Sequence, residues 1–84
     1  MAKTFNLTIM APENIIYEGP AVSLIVPAEL GYLGILADHA PLGANLRRGT
    51  ITLRKDSGQT VKFASGDKGF IEVLKNNVTI LLNK

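Results

Sequence analysis

The chain has no cysteine and no tryptophan, one histidine, and only five aromatic rings in 84 residues. Without cysteine there is no disulfide or thiolate site, so the core must be held by apolar burial alone or with a partner's help. One histidine without cysteine cannot build a zinc centre. Charge is scarce as well. Nine Lys/Arg against seven Asp/Glu leave a net +2, too little to imply nucleic acid or acidic lipid. No apolar run approaches membrane-spanning length, and residues 1–7 lack the apolar core of a secretory signal, so neither membrane insertion nor export is expected. Helical periodicity is missing too, because Gly or Pro interrupts the sequence every few residues up to Gly69.

Period-two alternation is the dominant pattern. Phe5, Leu7 and Ile9; Val22, Leu24 and Val26; Ile51 and Leu53; Val61 and Phe63; and Val78, Ile80 and Leu82 each alternate with other, mostly polar, residues. A strand with one buried face requires this spacing. Turn signals separate the runs: Ala11-Pro12-Glu13-Asn14, Gly19-Pro20 closing a short strand Ile15 to Glu18, Asp56-Ser57-Gly58 as a tight hairpin, and Asn76-Asn77, where Asn tolerates positive φ. Eight to ten short strands in one domain, residues 1–84, predict an all-β sandwich or barrel. The segment Pro27 to Pro41 departs from alternation. It is apolar and glycine-rich, and reads as a long loop that packs on the domain or meets a partner.

Catalytic pairings are absent. Asp38 precedes His39, but neighbours on an extended chain point apart, so they form no direct dyad, and His39 reads as a residue bonding backbone or touching a partner. Gly31 and Gly34 lack the Lys-Ser/Thr of a phosphate loop and are read as positive-φ bends. Arg47, Arg48, Arg54, Lys55 and Lys62 make a basic grouping whose Arg54 and Lys62 face outward without aromatics, as a solvated face or a contact with an acidic partner does, rather than a nucleic-acid face. Glu13, Glu18, Asp56 and Asp67 sit in turn-like settings, and Glu72 is expected on the outer face of its strand. Leu81 and Ile25, apolar on otherwise polar sides, combine with the Pro27–Pro41 segment as a possible protein-binding surface. No catalytic residue, cofactor or metal is expected. A free-standing protein- or carbohydrate-binding module is the alternative, though three of the five aromatics (Phe5, Tyr17, Tyr32, Phe63, Phe70) read as core and leave little for stacking on sugar.

Ala11-Pro12, Tyr17-Glu18-Gly19, Val26-Pro27, Gly31-x-x-Gly34-Ile35-Leu36, His39-Ala40-Pro41-Leu42, Leu46-x-x-Gly49, Gly69-Phe70-Ile71-Glu72-Val73 and Asn77-Val78-Thr79-Ile80-Leu81 follow one another in an order that resembles the epsilon subunit of the F-type ATP synthase. The likeness runs from about Phe5 to Leu82. It implies a ten-stranded flattened β-sandwich, a non-catalytic part of a hetero-oligomeric rotor. The gamma subunit and the c-subunit ring would be its partners, at the cytoplasmic face of a bacterial plasma membrane and peripheral to it. It also implies ring contacts at Glu29, Gly31, Tyr32, Asp38 and His39, and structural turns at Gly34, Pro41 and Gly49. Tyr32 stands where the family often has Glu, and Ala37-Asp38 where it has Pro-Gly or similar, which moves the expected acidic contact to Asp38 or Glu29. Family members commonly continue into a C-terminal helical hairpin that inhibits ATP hydrolysis. This chain stops at Lys84, so inhibition is not implied for it.

Overall fold

In the computed structural model, which describes residues 3–66 and 68–83, every regular element is a strand. They are β1 (Phe5–Ala11), β2 (Asn14–Ala21), β3 (Ser23–Ala28), β4 (Gly31–Leu36), β5 (His39–Leu46), β6 (Thr50–Arg54), β7 (Thr60–Ala64), β8 (Lys68–Lys75) and β9 (Asn77–Asn83). Pairing runs β2-β1-β9-β8-β5-β3-β6-β7, with β4 on the other side of β3. Between β5 and β3 the ladder narrows to the single pair Ala28↔Leu46. There the path turns a corner, giving a five-stranded layer (β2, β1, β9, β8, β5) and a four-stranded layer (β4, β3, β6, β7). The body measures 35 × 23 × 19 Å, a flattened sandwich.

The inward residues of both layers make one core: Phe5, Leu7 and Ile9 of β1, Leu24 and Val26 of β3, Ile35 of β4, Ile51 and Leu53 of β6, Ile71 and Val73 of β8, and Val78, Ile80 and Leu82 of β9. These are the alternating positions of β1, β6 and β9. In β8 the buried residues are Ile71 and Val73, which puts Glu72 outward as expected, together with Phe70 and Leu74. The Lys55–Gln59 hairpin closes through Lys55 N to Gln59 O (2.8 Å) and Gly58 N to Lys55 O (2.9 Å), with Gly58 at φ 93°. That is the three-residue loop with a left-handed glycine.

Four expectations are corrected. The Pro27–Pro41 segment is the end of β3, all of β4 and the start of β5, joined by two tight turns, rather than a loop. Its alternation is hidden because β4 is apolar on both faces: Leu33 and Ile35 point in, Tyr32 and Leu36 out. Gly34 lies inside β4 without positive φ, and Pro41 lies inside β5 where its register with β8 shifts, so neither is a turn residue. β2 continues through Gly19-Pro20 to Ala21, which is possible because β2 is an edge strand and proline's missing N–H costs no ladder bond there. This places Glu18 in a strand opposite Thr8. At the β8–β9 turn the positive φ falls on Lys75 (55°), not on an asparagine. Asp67 lies outside the described residues.

Candidate functional site

β4 and β5 run in opposite directions, joined by the turn Ala37-Asp38. The expected contact residues therefore divide between the two ends of the sandwich. Glu29 and Gly31 flank the β3–β4 turn, with Tyr32 next in β4, whereas Asp38 and His39 lie at the far end. The six residues of β4, at about 3.3 Å each, separate the two groups by roughly 20 Å.

The Glu29 end is tightly built beneath an exposed tip. Arg47 N donates to Pro27 O (2.8 Å) and Glu29 N to Asn45 O (3.0 Å), fixing the corner. The buried Ser65 hydroxyl donates to Arg47 O at 2.6 Å, with Gly49 O at 3.2 Å, and Ser65 N donates to Gly49 O at 3.0 Å. Gly49 is the expected structural turn residue. A Cβ there would lie 2.6 Å from Pro27 Cβ and 2.9 Å from the Tyr32 hydroxyl, so only glycine lets the turn approach β3 this closely. Tyr32 lies over this turn, its hydroxyl accepting from Thr50 N at 3.4 Å, with 59% of the residue still exposed. Gly31 adopts φ 133°, and Leu30 beside it is fully exposed. A cleft of about 490 Å³ opens under the tip between Leu30–Leu33 and Gly43–Asn45.

The opposite end is a polar clasp. Asp38, in the left-handed region at φ 64°, accepts from Lys3 Nζ through Oδ2 and from Asn76 Nδ2 through Oδ1 (2.8 Å), while its N–H donates to Asn76 Oδ1 (2.7 Å). The Lys3 hydrogen bond first, and the Asn76 bond second, hold the Asp38 carboxyl below its ordinary pKa. His39 Nδ1 lies 2.7 Å from Ala40 O and bonds it as a donor. His39 thus serves its own backbone while Asp38 is engaged elsewhere, and no dyad forms. Among the described residues no three His, Cys, Asp or Glu side chains gather as metal ligands, and no helix is long and apolar enough to cross a membrane.

A third feature is a stripe on the outer face of the five-stranded layer. Ile15, Met10, Leu81 and Phe70 are successive cross-strand partners on β2, β1, β9 and β8. Ile15 is 55%, Leu81 46% and Phe70 39% exposed. The Phe70 ring extends toward Gly43, whose Cβ would sit 2.9 Å from Phe70 Cζ. Sequence reasoning singled out Leu81 but missed the stripe and the Leu30 tip. The available signal was β8 itself, where four apolar residues in Phe70–Leu74 must occupy both faces.

Residues 4–84 match the family model described as the beta-sandwich domain of the ATP synthase delta/epsilon chain. The chain belongs to this family. It is 45% identical over 80 residues to the ATP synthase epsilon chain of Leptospira borgpetersenii serovar Hardjo-bovis (strain JB197), covering 95% of this chain and 61% of the relative. It is 39% identical over 85 residues to that of Dichelobacter nodosus (strain VCS1703A), covering 100% and 58%. The chain thus spans about three-fifths of the length of these relatives. Its fold is also that of a chain in the Euglena gracilis mitochondrial ATP synthase OSCP/F1/c-ring structure, at TM-score 0.87 and 21% identity, covering 94% of this chain and 50% of that one. A chain in the Tetrahymena thermophila mitochondrial ATP synthase central stalk and c-ring structure matches at TM-score 0.78 and 14% identity, covering 99% and 66%. The apolar stripe and the Leu30–Tyr32 tip are both exposed apolar features of the described residues.

Proposed function

We propose that this domain is a non-catalytic central-stalk component of an F-type ATP synthase. It holds the gamma subunit against the c-subunit ring, and so couples proton flow to ATP synthesis from a peripheral position at the cytoplasmic face of a bacterial plasma membrane. The observation that carries the reading is the stripe Ile15–Met10–Leu81–Phe70. It puts apolar side chains in a row on the solvent side of a sheet whose other face already holds the core. Leaving such a row in water gains nothing for the free domain, whereas covering it by a partner removes apolar surface from water. Gamma is assigned to this stripe. The ring is assigned to the Glu29–Tyr32 end, where a rigid corner presents Leu30 and Tyr32. Asp38 and His39 fall at the clasped end, with Asp38 engaged by Lys3 and Asn76, and are dropped from the ring contact. Face-to-face sheets deform little under load, which suits a part that transmits torque.

The test is single-cysteine cross-linking in the assembled enzyme, convenient because the chain has no cysteine of its own. Leu81→Cys should link to gamma and Leu30→Cys or Tyr32→Cys to a c-subunit loop. These 84 residues should also restore ATP-driven proton pumping to enzyme depleted of its epsilon subunit. Ring cross-links arising only from His39→Cys or from the Asp56–Gly58 turn would overturn the assignment.

A further inference from the structure

Among the described strands four have an open side, and they are not equally protected. β2 carries Glu18, Pro20 and a register shift opposite Ile9/Met10. β7 carries Lys62 at its centre. β5 carries Pro41 and the register shift between His39 and Leu42. Charges, prolines and bulges of this kind are what keep exposed strand edges from pairing with another chain. β4, reading Gly-Tyr-Leu-Gly-Ile-Leu, has none of them. Among the described strands it pairs only with β3, leaving its other side open along six uncharged residues.

The β4 sequence is also complementary to itself. Two antiparallel copies with Gly34 facing Gly34 on a two-fold axis would set Tyr32 opposite Leu36 on the outer face, twice, and Leu33 opposite Ile35 on the inner face, twice. Every pair is apolar, and no charge meets a like charge. Tyr32 and Leu36 are 59% and 63% exposed, so both have surface to bury. Nothing lies within 4 Å of the position a Gly34 Cβ would take, so the axis is uncrowded.

We propose that the free domain self-associates through β4, two copies forming one continuous antiparallel sheet centred on Gly34. The pairing is isologous, so each copy uses its one unprotected edge and the assembly closes as a dimer instead of growing into a fibre. The contact is small, a pair of short strands with their flanking side chains, and belongs to the weak class. This inference concerns the unassembled chain and does not depend on the stalk reading.

Sedimentation equilibrium of the 84-residue chain, up to about 1 mM, should show a concentration-dependent rise from monomer to dimer mass. Gly34→Lys puts two like charges at the axis and should hold the mass at monomer while leaving the circular dichroism spectrum unchanged, since a side chain there has open space. The register is read by cysteine pairing. Opposed antiparallel residues have Cα atoms about 4.5–5.5 Å apart, inside the span a disulfide bridges. Gly34→Cys should therefore oxidise to a covalent dimer. Tyr32→Cys alone should not, because its symmetry mate is displaced by four residues, about 14 Å. Tyr32→Cys combined with Leu36→Cys should cross-link again. A chain that stays monomeric at every concentration, a dimer untouched by Gly34→Lys, or a Tyr32→Cys dimer as abundant as the Gly34→Cys one would each overturn the proposal.

Discussion

At the Glu29–Leu30 end of the sandwich, order comes from close packing and part-buried hydrogen bonds: Gly49 against Pro27 and the Tyr32 hydroxyl, and Ser65 bonded to two carbonyls. At the Asp38 end, order comes from an exposed polar clasp in which one carboxylate gathers Lys3 and Asn76. The first kind of construction is stiff, because interiors are close-packed and resist displacement. The second sits in water, which competes for every bond it makes. A surface that must present Leu30 and Tyr32 in fixed orientation is better carried by the first. The difference between the ends is thus a reason, separate from family likeness, to assign docking to one and a structural tie to the other.

Gly49→Ala should test that contrast most severely. The added methyl group meets the Pro27 ring and the Tyr32 hydroxyl, and the turn must shift, at a cost of about 2–3 kcal/mol typical of overpacked sites. Chemical denaturation should show it as a lower midpoint with the slope unchanged. If Gly49→Ala were neutral, the Glu29 end would be far softer than this packing implies.

That tightness could not be read from the sequence. The strands with one apolar face, β1, β6 and β9, were legible because Phe5-x-Leu7-x-Ile9 and its counterparts each have a polar side. β4 was not, because Tyr32 and Leu36 are as apolar as Leu33 and Ile35, and Gly34 inside the strand imitates a turn. β8 was half legible: Glu72 was correctly placed outward, but its apolar neighbours Phe70 and Leu74 went unrecognised as surface. The family order of motifs carried the identification, yet it grouped Glu29, Tyr32, Asp38 and His39 as one contact. Only the reversal of direction at Ala37-Asp38 reveals that they lie at opposite ends. The clasp itself joins residues 35 and 38 positions apart, which no local pattern marks.

Ser65→Ala sharpens the comparison at the next level. Arg47 O would lose its partner in a part-buried bond, at a cost of about 1 kcal/mol. Leu30→Cys cross-linking to the ring should weaken in the same variant if the tip is positioned by the corner beneath it. Unchanged cross-linking would mean the tip orients itself. Asn76→Ala removes two bonds to Asp38 at the clasped end, but water can replace both, and a loss under about 1 kcal/mol is expected. Ring and gamma cross-links should be indifferent to it.

The smallest effect lies in the pH dependence of the clasp. The Asp38 carboxyl is held below its ordinary pKa, chiefly by Lys3 and then by Asn76, so the folded state favours the ionised form. The unfolded chain takes up the proton first as pH falls. The stabilisation is therefore fully present above the ordinary carboxylate pKa of about 4 and is lost as pH drops through the lower folded value. Asp38→Asn keeps a residue that tolerates the left-handed backbone while removing the charge. Wild type should exceed this variant in thermal midpoint by a small, constant margin at neutral pH, and the margin should shrink below about pH 4. Because both partners are solvent-exposed, added salt should shrink it as well. A margin that grew on acidification would show Asp38 destabilising the fold when charged, and would remove the clasp as the tie for this end of the sandwich.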